Sequence, residues 1–173
     1  MFIFKKQYIV LSLVCLLSLK FLSSFFQENK QELYHEMIDS FVPKVTPYIN
    51  MEELSADMIL LDCRTEEEFE VSHIRSAIWV DEKGEKLDKS LLQNLDVSDT
   101  VVVYCSVGYR SALVGEKLQE QTKATVVNLY GGIFEWANAK KNIYRDEEVV
   151  NEVHPYSPEW GIWLVAPHLY ELK

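Results

Sequence analysis

Cysteine is scarce in this chain. Its 173 residues hold three, Cys15, Cys63 and Cys105. No pair forms a C-x-x-C motif, and His35, His154 and His168 stand at no metal-ligand spacing. That excludes a disulfide-stapled scaffold and a zinc site. Positive charge is the second shortage. Seventeen Lys and Arg face 27 Asp and Glu, for a formal net charge of −10. Lys5, Lys6 and Lys20 fall in the first 27 residues, where there is no acid. The remainder sets 14 basic residues against 27 acidic ones, a net −13. Such a surface repels nucleic acid. It also repels small anions at long range, so an anion site must be made by the local chain. Otherwise the composition is ordinary for a globular protein, at 48% hydrophobic and 25% charged. The length suits one domain with a real core.

The N-terminus departs from that average. Lys5 and Lys6 precede an apolar stretch, 8–19, extended past Lys20 by 21–26. Basic residues before an apolar run are the layout of a signal peptide or signal anchor. With Lys20 snorkelling, the stretch is long enough to span a bilayer. Small-x-small cleavage spacing is missing, and Cys15 lacks the small residues that precede a lipoprotein site. Residues 1–27 are therefore expected to form an N-terminal hydrophobic helix, a transmembrane signal anchor in preference to a cleaved signal peptide. Lys5 and Lys6 stay cytoplasmic on that reading. The domain then lies outside the cytoplasm, or is exported to the periplasm if the segment is cleaved. Residues 28–43 read as a linker, with Leu33, Met37 and Ile38 at helical spacing.

From residue 44 the pattern alternates. Pro43 and Pro47 keep 44–49 extended. Strands are expected at 58–62, 77–80, 100–104 and 125–129. Helices are expected at 66–71, 88–95, 111–121 and 132–140, the first opened by Thr65 with an acidic first turn. Strands alternating with helices imply an α/β domain over 44–142, a parallel sheet with helices on both faces. Residues 143–173 hold Pro155, Pro158, Trp160, Trp163 and Pro167 without a clear period. This extension is expected to pack on the domain, since aromatics of that density left exposed invite aggregation.

Cys105 stands where a β-branched run stops. Val101, Val102 and Val103 read as a buried strand, and after Gly108 the chain reads as a helix. The thiol thus sits at a strand C-terminus before a helix N-terminus, the edge of an open sheet where ligands bind. Helix N-terminal N–H groups favour an anion, which lowers a thiol pKa. Gly108 permits close backbone approach, and Arg110 offers a planar fork to an oxyanion. Asp62 and Arg64 follow a neighbouring strand and read as structural support near the site, an ion pair or helix cap. Cys63 reads as core and His73 as a hydrogen-bonded structural residue. Gly131 and Gly132 read as a turn that starts a helix, not as a phosphate loop.

Four segments in order carry a resemblance. Cys105-Ser106-Val107-Gly108-Tyr109-Arg110-Ser111 resembles the active-site loop of the rhodanese family of sulfurtransferases. Leu60 to Phe69 resembles its Asp-x-Arg segment, His73 to Ile78 its His-Ile-x-Gly-Ala-Ile segment, and Leu129 to Trp136 its Gly-Gly-x-x-x-Trp signature. Ser76 stands where glycine is usual, and Ser106 and Tyr109 where basic residues are frequent. The resemblance implies a rhodanese-like fold and a sulfurtransferase. Cys105 takes sulfane sulfur from a small anionic donor such as thiosulfate, becomes a persulfide, and passes the sulfur to a thiol or to cyanide. Arg110 holds the anionic end of the donor, and N–H groups of the substrate-binding loop (Ser106, Val107, Gly108, Tyr109 and Ser111) stabilise the leaving charge. No metal or organic cofactor is implied. Two alternatives stand beside it. One is a non-catalytic rhodanese-like binding or sulfur- and redox-sensing module at the membrane. The other is a cysteine phosphatase of the same fold, disfavoured because four residues, not five, separate Cys105 from Arg110.

Overall fold

The computed structural model describes residues 28–165 and 170–172. The expected hydrophobic stretch 1–27 lies outside them. Among the described residues no helix is long and apolar enough to cross a membrane. The chain divides into two compact units, one ending at Met37 and one running from Ile38 to Lys173. Residues 28–41 are helical (α1), so the division falls inside that helix.

The second unit is built on a five-stranded sheet of β1 (Tyr48–Ile49), β2 (Ile59–Asp62), β3 (Ile78–Trp79), β4 (Thr100–Tyr104) and β5 (Thr125–Leu129). Its order is β1-β5-β4-β2-β3, and every pairing is parallel. Successive strand side chains point to opposite faces. Val101, Val102, Val103 and Tyr104 are all fully buried, so both faces of the central strand are covered. Val101 and Val103 pack with Leu61, Val114, Leu118 and Val126 in one apolar cluster. This explains why β4 reads as an unbroken β-branched run rather than an alternating one.

Helices α2 (Glu66–Val71), α3 (Lys89–Gln93), α4 (Tyr109–Gln119) and α5 (Gly132–Asn138) connect the strands. Thr65 and Glu68 form a capping box at α2, each side chain bonded to the other's backbone N–H. Asp88 caps α3. The parallel alternation therefore stands as expected from the sequence. One boundary differs with consequence. Helix α4 begins at Tyr109, not Ser111, because Gly108 takes φ 106° and turns the chain directly into the helix. Tyr109 and Arg110 are thus first-turn helical residues, and the loop proper is four residues, 105–108.

Beyond α5 the chain forms an antiparallel hairpin, β6 (Ile143–Arg145) and β7 (Glu148–Val150). Tyr144 also exchanges backbone hydrogen bonds with His73 at 2.7 and 2.8 Å. A short helix α6 (Pro158–Gly161) follows. Asn138 then receives the chain, donating to the Trp163 carbonyl at 2.8 Å and accepting from the Val165 N–H at 2.9 Å. The hairpin turns on Asp146 at φ 53° with no glycine, so the usual sequence signal for a tight turn is missing.

Candidate active site

The parallel sheet brings the ends of β2, β4 and β5 to one edge, with Asp62 opposite Tyr104 in register. Cys105 follows immediately. Its thiol is 1% exposed, and Sγ accepts the Gly108 N–H at 3.2 Å. Burial pushes the thiol pKa up. The Arg110 charge, together with hydrogen bonds from Ser111 and the Gly108 N–H, outweighs burial and leaves it below the ordinary thiol value. The Ser111 hydroxyl stands between Sγ and Asn128 Oδ1, 2.8 Å away, and its one proton serves either. Cys63 contrasts with it. That side chain is fully buried with Sγ 3.8 Å from the Leu61 carbonyl, and burial holds its thiol well above the ordinary value. Core packing is its role, and a resolving thiol there would be both inaccessible and protonated.

The loop is held from three sides. Asn128, fully buried on β5, donates from Nδ2 to the Gly108 carbonyl at 2.9 Å. The first turn of α5 donates two backbone N–H groups, from Ile133 to the Cys105 carbonyl at 3.0 Å and from Phe134 to the Ser106 carbonyl at 3.1 Å. This contact explains the glycine pair. Gly131 and Gly132 both have positive φ, and a Cβ at Gly132 would strike the Cys105 carbonyl oxygen and come within 2.8 Å of that of Ser106. The third support is Glu68. Its carboxylate, 1% exposed, accepts the Ser106 hydroxyl at 2.7 Å and both Nη groups of Arg110 at 2.7 and 2.8 Å. Burial alone would raise the Glu68 pKa. Arg110, Arg64 and Ser106 hold it instead at about 2.

Arg110 is in turn fully engaged through its fork. Nη1 also donates to Glu82 at 2.8 Å, and Nη2 to Ser106 Oγ at 2.8 Å. All four Nη protons are thus committed, two of them to Glu68. In this structure the fork braces the loop and supplies charge to Cys105. Glu82 is the more exposed of the fork's two carboxylate partners, at 43% against 1% for Glu68. Asp62 and Arg64 are a buried pair at 2.6 Å, and Arg64 also donates to the Ser72 carbonyl at 2.6 Å. They fasten the β2 end and do not line the cleft. Val107, 5% exposed, contributes its place in the loop wall.

Cys105 opens on a cleft of about 400 Å³ whose walls include Ser106, Val107, Tyr109, Arg110 and Glu82. Phe41, Tyr156 and Trp160 complete it. Sequence reading named neither Glu68, Glu82 and Asn128 nor these three aromatics as site residues. Glu68 was visible only as one acid of the acidic first turn of α2. Asn128 lies inside a strand pattern, where a polar residue on a buried position was the available signal.

A buried, depressed-pKa thiol in a four-residue loop between a parallel strand and a helix defines an α/β protein with a cysteine at the sheet's carboxyl edge, where open sheets bind ligands. Comparison with known proteins places it further: residues 49–139 match the rhodanese-like domain model, and the chain belongs to that family. Among curated proteins it is 35% identical over 81 residues to a probable molybdopterin-synthase adenylyltransferase of Porphyra purpurea. That match covers 46% of this chain and 20% of the relative. It is 33% identical over 92 residues to a tRNA uridine(34) hydroxylase of Wigglesworthia glossinidia brevipalpis, covering 51% of this chain and 29% of the relative. The chain thus spans less than a third of either. Among solved structures, a thiosulfate sulfurtransferase of Pseudomonas aeruginosa aligns with TM-score 0.50 and 21% identity, over 66% of this chain and 23% of that one. It shares the fold.

Proposed function

We propose that this protein is a sulfurtransferase that carries sulfane sulfur as a persulfide on Cys105. The observation that supports it best is the thiol itself. Sγ accepts a backbone N–H at 3.2 Å, and Arg110 helps hold its pKa below the ordinary value. The Cys105 thiolate, the form that the lowered pKa favours, attacks the outer sulfur of a donor such as thiosulfate. The new S–S bond forms as the bond to the sulfonate sulfur breaks, and sulfite leaves with the electron pair. A thiol or cyanide then attacks the outer persulfide sulfur and restores the Cys105 thiolate. Backbone N–H groups fixed by Asn128 and α5 stabilise the charge on the persulfide without reorganising. No residue in this scheme requires a metal or organic cofactor. Residues 1–27 direct the domain to the membrane or across it in this proposal, on the sequence pattern alone.

Steady-state sulfur transfer from thiosulfate to cyanide tests the assignment. Cys105→Ser should abolish turnover with the melting temperature unchanged. Turnover that survives the substitution would remove Cys105 from the mechanism.

A further inference from the structure

Three of the four aromatic side chains around the cleft lie outside the segment shared with the family, 49–139. Phe41 comes from the end of α1, and Tyr156 and Trp160 come from the C-terminal extension. Tyr109 is the fourth, in the first turn of α4. Phe41 stands 4.8 Å from Tyr109 and 5.3 Å from Trp160 between ring centroids. The Tyr156 ring lies 4.7 Å from the Arg110 guanidinium carbon. Its backbone is held at φ 65°, a conformation costly for an aromatic residue. His154 Nδ1 fixes it there by accepting the Tyr156 N–H at 3.0 Å. Strain retained to place one ring at a cleft mouth points to use of that ring. Phe41, Tyr109 and Tyr156 remain 37–49% exposed, so faces are left open for a ligand.

The charge around the thiol argues in the same direction. Arg110 is the cation lining the cleft, and Glu68 and Glu82 both bond it. A dianion finds no uncommitted Nη proton there, and the chain as a whole carries −10. A cleft of about 400 Å³ falls in the range that takes small organic molecules.

We infer that the cleft takes a singly charged organic sulfur donor with a planar apolar body, stacked among Phe41, Tyr109, Tyr156 and Trp160, in preference to an inorganic dianion. This presupposes the Cys105 sulfur transfer proposed above and adds its substrate class. The Cys105 thiolate attacks the terminal sulfur of an organic thiosulfonate or persulfide. The Cys105 S–S bond forms and the donor's S–S bond breaks. The remaining sulfinate or thiolate departs with the electron pair, so no outside oxidant or reductant takes part.

The test compares benzenethiosulfonate, methanethiosulfonate and thiosulfate as donors to the full-length chain, with cyanide as acceptor. The kcat/KM should fall in that order. The benzene-to-methane ratio should be about twofold to twelvefold, the range that one aromatic stacking contact is worth. Trp160→Ala and Phe41→Ala should each bring the ratio towards one, while Ile162→Ala, an exposed residue of the same segment that does not line the cleft, should preserve it. Glu82→Gln should raise efficiency with thiosulfate more than with benzenethiosulfonate. Thiosulfate equal to or better than benzenethiosulfonate, or a ratio indifferent to both aromatic substitutions, would overturn the inference and leave sulfur transfer standing. No transfer from any of the three donors would instead count against the sulfurtransferase assignment.

Discussion

Replacing Glu68 by glutamine should strip the loop of its main electrostatic brace, and the cost can be worked from the structure. The folded carboxyl has a pKa of about 2 against an ordinary 4.5, with 1% of its side chain exposed. That difference is worth about 3 kcal/mol of stability at neutral pH. Because the folded pKa is depressed, the contribution is complete above pH 4.5 and disappears as pH falls from there towards 2. Glu68→Gln removes the charge and leaves Arg110 paired with Glu82 alone. Breaking a buried pair outright costs about 3–5 kcal/mol, and the surviving Glu82 contact puts this case near the lower end. In a domain of this size that is about 10 °C in melting temperature. The assay is urea unfolding of both proteins at pH 7, 5.5, 4 and 3. Other carboxylates titrate alike in both and cancel in the difference. The gap between wild type and variant should be about 3 kcal/mol at pH 7 and should narrow steadily below pH 4.5. A gap of constant size from pH 7 to pH 3 would refute the coupling of Glu68 to Arg110 and Ser106.

Three further outcomes follow from the loop. Gly132→Ala should destabilise the fold by about 2 kcal/mol or more and suppress sulfur transfer, because the new Cβ meets the Cys105 carbonyl at a positive-φ position; a variant of wild-type melting temperature would contradict the close approach. Asn128→Ala should cost about 1–3 kcal/mol by freeing the Gly108 carbonyl and the Ser111 hydroxyl, measured by the same unfolding assay, and should lower turnover. Iodoacetamide should modify Cys105 with a pH midpoint below that of an ordinary thiol and leave Cys63 untouched in the native protein. Peptide mapping that finds both equally modified would contradict the burial of Cys63.

Much of this architecture was legible in the sequence because its signals are local. The Val101–Val103 run marked the central strand, and Thr65 marked the start of α2. Gly108 marked the turn into α4, although the helix begins two residues earlier than its apolar pattern suggests. The thiol and its arginine were legible for the same reason: loop and helix are contiguous. Partners that arrive from elsewhere were not. Glu68 is 42 residues from Arg110, and its place in the acidic first turn of α2 gave no sign that the same carboxylate also faces the loop. Asn128 reaches Gly108 only because β5 lies beside β4. The arginine fork looked free because sequence does not show which acids converge on it. Tail aromatics were conspicuous as composition, yet only the turn at Tyr156 and helix α6 set two of them at the cleft.

The most direct test of the central claim is the intact mass of the full-length protein after exposure to a sulfane donor, with Cys105→Ser alongside. Thiosulfate and benzenethiosulfonate should each be tried. The account predicts a gain of one sulfur atom on the wild type, mapped to Cys105, removed by cyanide and absent from the variant. A wild type that gains no sulfur from either donor, or a variant that gains it equally, would contradict it.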